Sequence, residues 1–206
     1  MGEAFSFCPQ GQVVLKEEIS MMTGGIPKAQ LMAGDAMNRA LIRMAHEMME
    51  QLDPLEDVVF VGIRRRGVPL AQRLADIIAR YEQVKLPVGE VDIAMYRDDR
   101  DPGDLQIAVQ GKNLPVDVTG KIVVLVDDVL HTGRTVRAAM DAILDQGRPA
   151  KIRLAVLIDR GHRELPIRPD FVGKNVPTSQ NERIGVQMEE IDGGDGVALY
   201  EGRRNR

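Results

Sequence analysis

Tryptophan is absent, and only three tyrosines and four phenylalanines occur in 206 residues, so the chain has little from which to build the aromatic platform that single-stranded nucleic acids stack on. One cysteine, Cys8, excludes an internal disulfide and a cysteine-based zinc cluster, and three scattered histidines argue against a histidine metal site. The expectation is that no protein side chain ligates a metal directly and that any metal arrives with a substrate. There is no run of 18 apolar residues, and the opening MGEAFSFCPQ has neither the basic region nor the apolar core of a signal peptide. A cytoplasmic protein without membrane attachment is expected. Excess positive charge is also missing: 27 basic against 31 acidic residues give a formal charge of -4, so any RNA or DNA would need a local basic face.

What is present is a chain that is 44% hydrophobic and long enough to bury a substantial core. Residues 1–30 contain GG and GIP breakers without sustained periodicity and read as a flexible N-terminal extension; residues 31–206 read as a single domain. From Asp35, the positions Met37, Leu41, Met44, Met48 and Leu52 recur at helical spacing, with Arg39, Arg43, His46 and Glu50 on another face. DVVFVGI (57–63) predicts a buried strand, followed after RRRG by a helix with Leu70, Leu74, Ile77, Ile78 and Tyr81 on its apolar side. VGEVDIAMY (88–96) predicts a second strand, and RDDRDPGDLQIAVQGK after it a long loop or a β-hairpin. KIVVLVDD predicts a third strand, followed by a helix carrying Val136, Ala139, Met140, Ile143 and Leu144, with Gly147 as its C-terminal cap. KIRLAVLID (151–159) predicts a fourth, and short strands are expected near 184–191 and 197–200. Strands alternating with helices imply an α/β fold with a mostly parallel sheet covered on both faces, and with ligands bound beyond the carboxyl ends of the strands.

The stretch VVLVDDVLHTGRT (123–135) drives an apolar strand into two carboxylates and then into a loop suited to an anion. Asp127 and Asp128 can accept hydrogen bonds from a vicinal diol such as that of a ribose. The amides of residues 131–135 precede a helix, where unpaired N–H groups and the helix dipole favour a phosphate, and the hydroxyls of Thr132 and Thr135 can add to them. A diol site and a phosphate site a few residues apart match the two ends of a ribose 5-phosphate. A strand ending in solvated acids, with Thr135 as an ordinary helix cap, is the competing reading of the same residues. GIRRRG (62–67) offers cations and backbone amides to a polyanion, or else a solvated basic turn.

The 13 residues from Val123 to Thr135 resemble the phosphoribosyl pyrophosphate (PRPP) signature of type I phosphoribosyltransferases. With VGIRRRGVPLA, DIAMYRDD, RALIRMAHEMME and DRGHRELPIRPDFVGKNVPTS, the chain resembles the PyrR family over most of residues 35–200. The resemblance implies a type I phosphoribosyltransferase fold with a small hood and a flexible loop. It implies uracil phosphoribosyltransferase activity with Mg²⁺ bound to PRPP or pyrophosphate, and uridine-nucleotide-dependent (UMP or UTP) binding to the leader mRNA of pyrimidine genes. It also implies a homodimer or higher homo-oligomer. Carried over by position, Asp127, Asp128 and Arg97 are catalytic, and PRPP is held by Arg65, Arg66, Asp127, Asp128, Val129, Leu130, His131, Thr132, Gly133, Arg134 and Thr135. Arg160 and Ile184 bind uracil or UMP, and Arg39, Arg43, His46, His162, Arg163, Arg168 and Lys174 bind RNA. His131 stands where some purine enzymes have an acid, so it acts either as a base or as a packing and binding residue. Two other functions fit the same residues: an RNA-binding regulator that senses PRPP or UMP with little turnover, and a phosphoribosyltransferase for another base.

Overall fold

The computed structural model describes residues 27–95 and 107–201. The chain enters through β1 (Pro27–Ala33) and α1 (Gly34–Gln51), and a short 3-10 turn leads to β2 (Val58–Ile63) and α2 (Gly67–Glu82). A hairpin of β3 (Val88–Met95) and β4 (Ile107–Asn113) precedes β5 (Ile122–Leu130), α3 (Arg134–Leu144) and β6 (Lys151–Asp159). The remainder is β7 (Phe171–Asn175), β8 (Glu182–Gln187), the single turn α4 (Glu189–Asp192) and β9 (Gly196–Glu201).

The main sheet has the order β4-β3-β2-β5-β6-β7; only the edge pair β3–β4 is antiparallel. VVFVGI is apolar at every position because β2 lies between two parallel neighbours and is covered on both faces. Alternate residues divide between two cores. Val58 and Phe60 of β2 join Val124 and Val126 of β5 against α1 and α2, whereas Val59, Val61, Val123 and Leu125 face α3. Burying side chains such as Phe60 and Phe171 contributes roughly 1.5–3 kcal/mol each. In α1 every apolar position of the predicted stripe is buried, together with Leu52 just beyond the helix, while Arg39, Arg43, His46 and Glu50 are exposed.

A second, three-stranded antiparallel sheet, β1-β9-β8, caps the α1 side of the structure and adds Met32, Val186, Met188 and Val197 to that core. It corresponds to the small hood expected from the sequence. β1 begins at Pro27, so residues 27–30, assigned from the sequence to the N-terminal extension, are part of a sheet; residues 1–26 lie outside the described residues. Their pattern hid this because an edge strand on a small sheet buries little: only Met32 of β1 is enclosed.

Three expectations need correction. Tyr81 is exposed and stands beside the ring of His46, with centroids 4.8 Å apart, rather than in the core. Leu144 is also exposed, because it falls about 80° off the stripe through Val136, Ala139 and Ile143, and Ala142 takes the inward position. Gly147 does not cap α3, whose last turn closes at Asp145 in the right-handed region. A Cβ at Gly147 would stand 2.7 Å from the Thr119 hydroxyl oxygen, so close approach to another loop is what calls for glycine there.

Candidate active site

Strand order reverses between β2 and β5: the chain builds outward from β2 to β3 on one side, then returns to place β5 on the other. Such a reversal opens a crevice at the carboxyl ends of the two strands. β2 delivers Arg64, Arg65 and Arg66 to it, and β5 delivers Asp127 and Asp128. An open cavity of ≈ 1080 Å³ lies there, and the three arginines, Glu90, Asp92 and Asp128 are among the residues that line it.

The arginine loop folds back tightly onto the sheet. A Cβ on Gly67 would sit 2.3 Å from the carbonyl oxygen of Val126, and one on Gly62 would sit 2.4 Å from the Cα of Val68. Those two absent side chains let the loop approach the crevice. Each arginine then has a different environment. Arg64 pairs with Glu90 and Asp92 on the neighbouring strand, and Arg65 is exposed, with no partner among the described residues. Arg66 donates through Nε and Nη2 to the Asp192 carboxylate at 2.9–3.2 Å.

On the other wall, Asp127 is 8% exposed and accepts the amide of Asp128 at 2.9 Å, while Asp128 accepts the amide of Val129 at 2.8 Å. Burial pushes both carboxyls above the usual range. For Asp127 the charge of Asp128 adds to the effect; for Asp128 the positive field of Arg66 opposes it. The pair therefore gains from any ligand that donates hydrogen bonds or positive charge.

After β5 the chain turns through Gly133, with φ +92°, into α3, which no side chain caps. The Thr132 hydroxyl accepts the Arg134 amide at 3.3 Å, and Thr135 does not act as the N-cap, since Gly133 occupies that place. The helix thus begins with amides directed at the loop, the geometry that suits an anion. Val129 packs toward the α1 side and Leu130 is buried on the α3 side, so these two hold the loop through the core. Their backbone also matters: the Leu130 carbonyl accepts the Arg160 amide, and Thr132 accepts from Glu164 and Leu165. Arg134 pairs with Glu164 across the same junction.

His131 is exposed and meets His162 edge-on, with ring centroids 5.9 Å apart, at a smaller cavity of ≈ 410 Å³ that Arg163, Glu164 and Gln180 complete. Partial burial, then the charges of Arg160 and His162, keep its imidazole below the ordinary histidine range, so the ring is uncharged near neutrality. Arg160 is 6% exposed, and its guanidinium donates to the Thr178 hydroxyl and to the carbonyls of Ser179 and Glu182. It ties the segment before β8 to the end of β6. Ile184 lies on β8, half-buried against the core on the α1 side. Arg97 lies outside the described residues.

The residues expected to meet RNA fall into two groups. Arg43 reaches the carbonyls of Val172 and Gly173 at 2.7 Å, and Lys174 reaches that of Leu31 at 3.0 Å, so the α1 face and β7 form one surface with exposed Arg39 and His46. His162 and Arg163 lie instead at the smaller cavity beside His131. The Arg163 guanidinium pairs with Asp159 and donates to the carbonyls of His131, Gly161 and Ile167, which makes it a brace for the loop. Arg168 is exposed beside Ile167.

Sequence reasoning missed Glu90, Asp92, Glu190 and Asp192. The alternating acids of GEVDI carried a signal for the first two, since residues two apart on a strand share a face. Nothing local marked Asp192, which lies 126 residues from Arg66.

A parallel sheet with an arginine loop on one side of the crevice, and a carboxylate pair running into a helix amino terminus on the other, defines a type I phosphoribosyltransferase. A family model for the phosphoribosyl transferase domain matches residues 28–190. The hypoxanthine-guanine phosphoribosyltransferase of Bacillus anthracis shares the fold, with a TM-score of 0.65 at 17% identity, covering 85% of this chain and 98% of that one. The Bifunctional protein PyrR of Chloroflexus aurantiacus is 60% identical over 176 residues, 85% of this chain and 97% of that protein. That of Thermus aquaticus is 56% identical over 174 residues, 84% of this chain and 96% of that protein. The chain belongs to the PyrR family.

Proposed function

We propose that the protein converts uracil and PRPP to UMP and pyrophosphate, and that it regulates pyrimidine biosynthesis genes by binding leader mRNA in response to uridine nucleotides. The observation that carries the enzymatic reading is the Asp127–Asp128 pair set directly before the uncapped start of α3, across the cavity from Arg65 and Arg66. In this reading the carboxylates accept the ribose hydroxyls, the 131–135 loop holds the 5-phosphate, and the arginine loop receives the pyrophosphate.

Uracil N1 forms a bond to C1 of the ribose as the bond from C1 to the pyrophosphate oxygen breaks; the N1 proton passes to solvent or a nearby base. The sugar gains oxocarbenium character while negative charge grows on the leaving group, so cations on the arginine side stabilise the transition state more than the ground state. Mg²⁺ enters as part of the PRPP substrate; Arg97, which the family resemblance assigns to catalysis, lies outside the described residues. His131, uncharged near neutrality, borders the smaller cavity and lines the approach to the sugar phosphate. Arg160 shapes the base site by holding residues 178–182, leaving backbone groups to read the uracil edge.

For RNA, the continuous α1–β7 surface of Arg39, Arg43, His46 and Lys174 supports a backbone-binding face away from the arginine loop. Phosphate contacts there predict a log affinity that falls by about 0.7–0.9 per contact per log unit of salt. Among the described residues no helix is long and apolar enough to cross a membrane.

Incubating the protein with PRPP and Mg²⁺ against uracil, hypoxanthine and orotate tests the first function; the expected outcome is UMP from uracil and no nucleotide from the others. Absence of UMP at high enzyme concentration removes the enzymatic reading. Titrating the organism's own pyrimidine leader RNA with and without UMP tests the second; affinity that UMP leaves unchanged removes the regulatory reading.

A further inference from the structure

Asp192 is a carboxylate that the proposed chemistry does not use; it follows Glu190 and Ile191 of the cavity lining and pairs with Arg66 of the same lining. Its side chain is 6% exposed and accepts three kinds of donor: Arg66 Nε, Arg66 Nη2 and the Met188 amide. A carboxylate this enclosed needs a fixed cation, and a guanidinium gripped along one edge is held in both position and plane. The grip leaves Arg66 Nη1 without a partner among the described residues.

The turn that carries Asp192 is itself anchored. The amides of Ile191 and Asp192 bond the Met188 carbonyl, and Gly193, with φ +74°, closes the turn. Arg73 of α2 grips both Glu190 and Asp195 at 2.7–2.8 Å, and Asp195 accepts the Glu189 amide. Ion pairing holds the Arg73 guanidinium charged, well above its ordinary range. The carboxylate is therefore presented to Arg66 by a braced element rather than by a loose tail.

We propose that Asp192 is a positioning residue for Arg66: by holding the Nε–Nη2 edge it aims Nη1 at the pyrophosphate site and keeps the guanidinium off Asp128. The inference rests on the reading of residues 64–67 as the pyrophosphate loop. Two opposing effects decide its sign. Removing Asp192 makes the wall more positive, which favours an anion. It also releases Arg66 toward the remaining carboxylates at the cavity, of which Asp128 is within its field. An Arg66–Asp128 pair would take the cation from pyrophosphate and the acceptor from the ribose together, and this second effect dominates because it removes two ligand contacts at once.

The test is calorimetric titration of the full chain with magnesium pyrophosphate. Asp192→Asn is expected to weaken binding about tenfold, the scale of one charge-assisted hydrogen bond. Asp195→Asn, which loosens the same turn without touching Arg66, should stay within about twofold, and in an Arg66→Gln background Asp192→Asn should change nothing further. Wild-type affinity, tighter binding, or an equal loss in Asp195→Asn would overturn the positioning role while leaving the loop reading standing. A wild-type protein that binds no magnesium pyrophosphate would overturn the loop reading and this inference with it. If Asp192→Asn does not fold by circular dichroism, Arg66→Lys supplies the measurement: an ammonium keeps the charge but cannot be held along an edge, so binding again falls about tenfold, and unchanged affinity overturns the proposal.

Discussion

At Gly67 a single added methyl group would meet the Val126 carbonyl oxygen at 2.3 Å and the Val126 carbonyl carbon at 3.3 Å. Val126 belongs to β5, a central strand with neighbours on both sides, and cannot retreat. In Gly67→Ala the arginine loop must therefore lift by about 1 Å to restore an ordinary contact. Overpacking of this kind costs about 1–3 kcal/mol. A displacement of about 1 Å at groups that orient a reacting bond costs on the order of 10²-fold in rate. The variant should thus fold with a lowered denaturation midpoint and show a UMP-forming kcat/KM reduced on the order of 10²-fold. Urea unfolding and steady-state kinetics, each beside Gly194→Ala as a control with nothing within 4 Å of its added Cβ, measure the two effects. Wild-type stability and turnover in Gly67→Ala would refute the claim that loop height is set by the Gly67–Val126 contact.

Asp127→Asn should raise stability near neutral pH while lowering turnover, because the buried acid has a raised pKa: its folded-state advantage is present at low pH and is lost as pH rises past the unfolded value toward the raised folded one. A thermal midpoint at pH 8 below that of the wild type would contradict this. Asp128→Asn should retain the fold and lose about 10–100-fold in kcat/KM, the range for a hydrogen bond to a charged acceptor; a normal rate would remove Asp128 from the site. Glu182 is drawn down to about 2 by Lys28 and the Ser179 amide, so the tie between β8 and β1 is intact above pH 4.5 and is lost as pH falls toward 2. Glu182→Gln should flatten acid unfolding in that window, and an unchanged acid limb would show that the tie contributes nothing. Arg39→Ala should weaken leader RNA binding and reduce its salt slope by about 0.7–0.9 while sparing UMP synthesis; Arg163→Ala should impair both, because its guanidinium braces the His131 carbonyl.

How much of this was legible beforehand follows from the range of each interaction. The apolar runs of β2, β5 and β6 and the stripe of α1 announced themselves because burial on a strand or helix imposes a period within a few residues. β1 and β7 did not, since short edge strands bury too little to impose one. Among the candidate site residues, Asp127 and Asp128 with the loop to Thr135 form one contiguous unit, strand end, turn and helix start, and contiguity made their juxtaposition readable.

Which residues face them is a property of the assembled sheet. Strand reversal between β2 and β5 brings Arg66 to the crevice wall with Asp128, and the hood's return brings Asp192 from 126 residues away to grip Arg66. The same folding redirected two residues that looked like ligand contacts: Arg160 holds residues 178–182, and Arg163 holds the loop beside His131. Local sequence determined where the strands, the helices and the carboxylate pair before the α3 start lie, because hydrophobic period and helix-end chemistry act over a few residues. Tertiary structure alone decided the partners of the arginines, because a guanidinium pairs with whichever carboxylate or carbonyl the packed sheet and hood place within about 3 Å of it.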